Sequence, residues 1–204
     1  LSWLNQVEVN EKIGLTFANA CRSFLRLDPD VILVGEIRDH ETAHIAVQNA
    51  LVGRLLLSTL HSNSAVGAIQ RLISLGLPPF WISATLTAVL GQRLARTICD
   101  ACITSYKPPT LLLKQLDLPI GKTYYHGKGC DLCLNTGYLG RTVISELFLI
   151  DDKLRKLIES DATEMQLLML AEQQGFKSFL YDAAQKVLSK KTTVEEVSRI
   201  LNIQ

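Results

Sequence analysis

Neither sign of charge prevails in this sequence: across 204 residues, 21 Lys and Arg stand against 20 Asp and Glu. Domains whose main task is holding nucleic acid carry a basic excess that displaces counterions from phosphates, so nucleic acid is not an expected partner. Long apolar runs are missing too. The most apolar stretch, residues 80–90, is about half of the roughly 20 residues a membrane-spanning helix needs, and Ser83, Thr85 and Thr87 interrupt it. No transmembrane span is expected. The opening Leu1-Ser2-Trp3-Leu4-Asn5 has no Met and no charged leader before an apolar run, so no signal peptide is expected and the chain reads as an excised piece. Internal repeats and low-complexity tracts are absent.

What is present suits a soluble globule with a sizeable core, since hydrophobic residues make up 48% and charged residues 20%. Up to about residue 98, short apolar runs alternate with amphipathic stretches, which predicts strands and helices taking turns around a mainly parallel sheet, an α/β fold. Thr16 is placed to cap a helix with Phe17, Cys21, Phe24 and Leu25 on one face, stopped at Asp28-Pro29. Val31-Ile32-Leu33-Val34 reads as a strand buried on both faces. Asp39 caps the next helix, with Ala43, Ala46, Val47, Ala50 and Leu51 inward, and Leu55-Leu56-Leu57 makes a second buried strand. A helix over 65–75 and another over 79–90 follow. Lone Cys21 is expected in the core.

Between Cys99 and Cys133 the texture turns to Pro, Gly, Lys and Tyr. Cys99-x2-Cys102 and Cys130-x2-Cys133 give two pairs, each able to clamp one edge of a tetrahedron, and four thiolates form a closed structural zinc site. A redox pair and disulfides are the rival readings, weakened by a cysteine usage that suits a reducing compartment, so a cytoplasmic location is expected. Four thiols saturate zinc, so His126 is read as exposed. The insertion shows no convincing apolar core, which predicts that the metal supplies much of its folding free energy. Beyond it, 143–150 is strand-like and 151–203 reads as three or four short helices. The expected organisation is 1–98, 99–133 and 134–204: the α/β part, a zinc-binding subdomain, and a strand with a helical region.

The first strand runs into Gly35-Glu36-Ile37-Arg38-Asp39, placing a carboxylate at the carboxyl edge of a parallel sheet, where such folds gather ligands. Glu36 there suits a metal–nucleotide site, and Gly35 is read as easing the backbone turn. The second strand ends in Ser58-Thr59-Leu60-His61, so an imidazole able to donate to a phosphate oxygen emerges beside Glu36. The bland readings are a helix-capping Asp39, a surface Glu36 and a surface His61.

Gly14-Leu15-Thr16-Phe17, Asp28-Pro29-Asp30, Gly35-Glu36-Ile37-Arg38-Asp39, Ser58-Thr59-Leu60-His61, Gln92-Arg93-Leu94 and Gly137-Tyr138-Leu139-Gly140-Arg141-Thr142, in that order, resemble the type II secretion and type IV pilus-assembly ATPases. The resemblance covers nearly the whole chain. It implies a partial RecA-like core of the P-loop NTPase class and a homo-hexameric ring, peripheral at the cytoplasmic face of the inner membrane. Assembly proteins and an inner-membrane platform are the implied partners. Residues 31–36 look like the Walker B strand and 58–61 like the histidine box, which implies catalytic roles for Glu36 and His61 and contacts to ATP and Mg2+ from Gly35, Glu36, Arg38 and His61. The four-cysteine module is similar to that of export and assembly members rather than retraction members. No Gly-x4-Gly-Lys-Ser/Thr phosphate loop occurs in the 204 residues, and the family's upstream acidic box is missing. The chain by itself is therefore expected neither to bind ATP tightly nor to hydrolyse it. Arg38, Arg54, Arg71, Arg93, Arg96 and Arg141 include candidates for phosphate contacts between subunits. Competing readings are a zinc-ribbon module binding nucleic acid or protein, and a DNA-uptake or conjugation-related ATPase.

Overall fold

The computed structural model describes residues 4–203, so residues 1–3, on which the expectation of no signal peptide partly falls, lie outside the described residues. In chain order the elements are α1 (Phe17–Phe24), β1 (Val31–Val34), α2 (His40–Leu51), β2 (Leu55–Ser58), α3 (Gly67–Ser74), α4 (Pro79–Thr85), β3 (Ala88–Ile98), β4 (Ile103–Tyr106), α5 (Thr110–Gln115), β5 (Tyr124–Gly127), β6 (Tyr138–Leu149), α6 (Asp152–Glu159), α7 (Glu164–Gln173), α8 (Phe179–Leu188) and α9 (Val194–Leu201). No helix among the described residues is long and apolar enough to cross a membrane. The chain divides into two compact units, each built from two segments: unit 1 from Leu1–Val89 and Leu149–Ala171, unit 2 from Leu90–Phe148 and Glu172–Gln204.

In unit 1, Thr16 caps α1 by accepting from Asn19 N at 3.2 Å, and Asp39 caps α2 by accepting from Thr42 N at 2.8 Å. Each cap satisfies an otherwise orphaned N–H and stabilises by about 1 kcal/mol. Ala18 and Cys21 of α1 pack with Ile32, Val34 and Ile45, placing Cys21 in the core. Strands β1 and β2 pair in parallel, Val31 opposite Leu55 through Val34 opposite Ser58.

Two expectations change here. Burial on both faces fails for β1 and β2: Ile32 and Val34 are buried, but Val31, Leu33, Leu55 and Leu57 are exposed, Leu33 at 70%. Strand side chains alternate between faces, and this chain covers only one of them. In α2 the buried positions are Thr42, Ala43, Ile45, Ala46 and Asn49, while Leu51 is exposed. The buried face is thus rotated from the predicted stripe, because Ile45 is the residue that joins the α1–β1 cluster.

The helix expected over 79–90 ends at Thr85; Leu86 is extended and β3 begins at Ala88. Tertiary packing overrides the apolar run. Gly91, a poor helix residue, supplies room in the strand, where an added Cβ would lie 2.8 Å from Phe179 Cζ and 2.9 Å from Glu146 Cγ. Strand β6, paired with β3, starts at Tyr138, earlier than predicted.

In unit 2 the core joins Leu113, Leu116, Leu118 and Tyr124 to Ala183, Val187, Val194 and Val197. Residues 110–124 therefore carry a core of their own side chains against α8 and α9, contrary to the coreless insertion read from composition. The Leu113-x2-Leu116-x-Leu118 spacing is short, and its partners lie some 70 residues downstream, so the pattern is invisible locally. The buried Glu196 side chain accepts from Arg96 Nη2 at 2.6 Å and Arg199 Nη2 at 2.7 Å. Burial pushes its carboxyl up, but the bonds from Arg199 and Arg96 outweigh that and hold it at about 2.

Candidate functional site

Parallel pairing brings the carboxyl ends of β1 and β2 side by side, and hydroxyls extend the pairing past the last ladder position. Ser58 Oγ donates to Val34 O at 2.9 Å and Thr59 Oγ1 donates to Gly35 O at 2.8 Å. Ile37 N donates to Thr59 O at 3.0 Å. These three bonds fix where the next residues leave the sheet, so Glu36 and His61 emerge on one rim. Glu36 Oε2 lies 3.5 Å from His61 Nε2; the Glu36 side chain is 21% exposed and that of His61 91%. Sequence reading anticipated the hydroxyls only as neighbours of His61, not as the ties between strand ends.

The Arg38 guanidinium pairs with Glu36, and its hydrogen bond holds the Glu36 carboxyl below the usual carboxylate range against a smaller upward push from burial, with His61 adding to the lowering. Glu36 is thus a half-buried anion at neutral pH, flanked by the Arg38 guanidinium and the His61 ring. Gly35 has a role other than the one expected. It is not in the left-handed region; instead, an added Cβ would lie 3.2 and 3.3 Å from Phe17 Cε1 and Cζ, so glycine lets that ring pack on the turn. Beside His61 opens a cavity of about 450 Å³ lined by His61, Ser62, Asn63, Ser64, Gly67, Arg71 and Glu164.

Three of the six arginines are engaged elsewhere. Arg54 pairs with Asp28 at 3.1 Å, Arg93 Nη1 donates to Ile200 O at 2.7 Å, and Arg96 pairs with Glu196.

The four cysteines converge in unit 2. Their sulfur atoms lie within 4.8 Å of one another, with Cys99–Cys130 and Cys102–Cys133 at 3.9 Å and Cys130–Cys133 at 3.7 Å. Metal–sulfur distances of about 2.3 Å, multiplied by the tetrahedral ratio of about 1.63, require sulfur separations near 3.8 Å. The geometry and the all-sulfur donor set therefore fit zinc. Burial pushes the Cys102 thiol up to about 12 and raises Cys99 as well. At Cys133 burial acts the same way but is outweighed by N–H donors, Cys130 N and Gly137 N, each 3.3 Å from the sulfur, which hold that thiol at about 6.

Gly137, at φ 77°, and Gly127 approach so closely that a Cβ on either would strike the backbone of the other. That close approach lets Cys99 N donate to Gly137 O at 3.0 Å, next to the cluster. Sequence reading took the glycines of this segment only as a change of texture; a glycine four residues after the last cysteine is the signal it left unused. His126 is half-buried rather than exposed, its ring stacked on Tyr106 at 4.7 Å.

A model of the family described as type II/IV secretion system protein matches residues 1–199. Type II secretion system protein E of Pseudomonas aeruginosa is 46% identical over 202 residues, covering 98% of this chain and 40% of the relative. The type IV pilus assembly ATPase PilB of Thermus thermophilus is 46% identical over 198 residues, covering 95% of this chain and 22% of the relative. Among solved structures, the pilus retraction motor PilT with bound ADP aligns with a TM-score of 0.62 at 24% identity, covering 91% of this chain and 43% of that one. The Legionella pneumophila ATPase DotB aligns at 0.63 with 19% identity, covering 92% and 42%. These two likenesses show the fold, the RecA-like α/β fold of secretion and pilus ATPases. The chain spans about 40% of the length of the secretion relative it matches.

Proposed function

The chain belongs to the type II/IV secretion system protein family, and on that premise we propose that it is the C-terminal part of a hexameric motor whose ATP hydrolysis powers type II protein secretion or type IV pilus assembly. The observation that carries this reading is the placement of Glu36 and His61, 3.5 Å apart at the carboxyl rim of a parallel strand pair, where α/β folds bind their ligands. The exposed apolar face of Val31, Leu33, Leu55 and Leu57 supports reading the chain as one portion of a larger fold.

In this reading Glu36, already ionised, holds magnesium directly or through water, while His61 donates a hydrogen bond to a terminal phosphate oxygen. Magnesium, when bound, neutralises charge that develops on the transferring phosphoryl group. Arg38 keeps Glu36 ionised and oriented, and Gly35 leaves room for the Phe17 ring to pack on the turn that carries it. Cys99, Cys102, Cys130 and Cys133 hold a structural zinc ion in the segment 99–133, with Cys130 N and Gly137 N stabilising the Cys133 thiolate. The motor works from the cytoplasm, at the inner membrane, through platform and assembly proteins.

The test is steady-state ATP turnover by the full-length protein. Glu36→Gln and His61→Ala are each expected to lower kcat by about 10²-fold or more, as loss of a group aimed at transition-state charge does, with zinc content unchanged. Turnover within twofold of the parent for both variants refutes the assignment. The 204-residue chain alone is expected to show none.

A further inference from the structure

The arch that carries His61 is tied at both ends. Upstream, Thr59 is bonded to Gly35 and Ile37, as described above. Downstream, Ser64 forms a three-way junction. Its carbonyl accepts from Ser62 Oγ at 2.8 Å, and its hydroxyl accepts from Gly67 N at 2.9 Å and donates to Glu164 Oε1 at 2.9 Å. Space for this junction exists because residue 67 is glycine: an added Cβ would lie 2.8 Å from Ser64 Oγ and 3.2 Å from Glu164 Oε1. Glu164 is the first residue of α7, whose start is fixed by reciprocal bonds between Thr163 and Gln166. A second tie joins Gln70 Nε2 of α3 to Ala162 O at 3.2 Å. His61 and Glu164 line the same cavity.

The Ser64–Glu164 bond contributes little to stability, because Glu164 is exposed and an exposed hydrogen bond is worth about 1 kcal/mol or less. Its effect is on position. Only Asn63 and Ser62 separate Ser64 from His61, and a ring used to contact phosphate loses its effect when displaced by about 1 Å.

We propose that Glu164, acting through Ser64, is a positioning residue that holds the His61 arch in place for phosphate contact and makes the arch respond to the first turn of α7. Helix α7 begins in unit 1 and continues at Glu172 into the segment assigned to unit 2, so the chain that carries the latch also runs into the zinc-bearing unit. The proposal rests on the phosphate-contacting role given to His61 above.

The experiment is ATP turnover by the full-length protein, with kcat and KM separated. Ser64→Ala and Glu164→Ala are each expected to lower kcat about tenfold, while KM for ATP moves less than twofold. The double variant should lose no more than either single one, since both break the same bond. Glu164→Gln keeps an oxygen that accepts from Ser64 and should recover most of the loss. In a His61→Ala background, adding Glu164→Ala should change nothing further. If His61→Ala is severely impaired while Glu164→Ala retains parental kcat, or if the two losses multiply, the latch is refuted and the His61 assignment stands. If His61→Ala itself turns over like the parent, the functional reading fails with it.

Discussion

Removing the metal from the four-cysteine cluster should separate two parts of the 99–133 segment that sequence reading treated as one. Three of the sulfur separations, 3.7–3.9 Å, correspond to metal–sulfur distances of about 2.3 Å. One zinc per chain with a single four-sulfur shell at that distance is therefore expected from elemental analysis and X-ray absorption. Hydrogen bonds that depend on the cluster include Lys128 N to Cys102 O at 3.1 Å, Asn135 N to Cys130 O at 2.9 Å and Cys99 N to Gly137 O at 3.0 Å. Leu113, Leu116, Leu118 and Tyr124, by contrast, are buried in a core that holds no metal ligand, and at about 1.5–3 kcal/mol each they contribute roughly 6–12 kcal/mol of gross burial without zinc. After chelation under reducing conditions, hydrogen exchange should accelerate by about 10²-fold or more at residues 99–102 and 128–137. The amides of Leu116 and Leu118, bonded to Leu112 O and Leu113 O, should keep their protection. Simultaneous loss at α5 and the cysteine turns refutes this division, and a zinc-free protein with unchanged exchange refutes the site.

Two further outcomes follow from burial and charge. Glu196 has its carboxyl held at about 2, against 4.5 ordinarily; its stabilising effect is fully present above about pH 4.5 and is lost as pH falls toward 2. Glu196→Gln should cost roughly 2 kcal/mol at pH 7 after allowance for the half-exposed arginines, and almost nothing near pH 2, by urea unfolding at each pH; equal costs at both would contradict it. On β1, Ile32→Ala should destabilise by about 2–4 kcal/mol and Leu33→Ala by less than about 1 kcal/mol in the isolated chain, because Ile32 is 3% and Leu33 70% exposed. A Leu33 cost equal to that of Ile32 would show that the outer face is covered.

Much of unit 1 was legible locally. Thr16 and Asp39 announced their helices because a capping bond spans only three residues, and Gly35-Glu36 and His61 followed apolar runs that could only be strands. Local pattern did not show which face of those strands is covered, since an apolar run is compatible with one covered face or two. It misplaced the end of α4 for a related reason: the fate of residues 86–90 depends on pairing with β6 and on room at Gly91.

By itself, the sequence determined the two cysteine pairs, the acid and imidazole at two strand ends and the caps of α1 and α2, because each depends on residue type at short spacing. Tertiary structure alone decided how the strand ends that carry Glu36 and His61 are tied by hydroxyls, that Arg54, Arg93 and Arg96 are engaged elsewhere, that residues 110–124 have a core, and that Ser64 meets Glu164. Those contacts join residues 24 to 107 positions apart, and a chain can satisfy them only after its elements have packed.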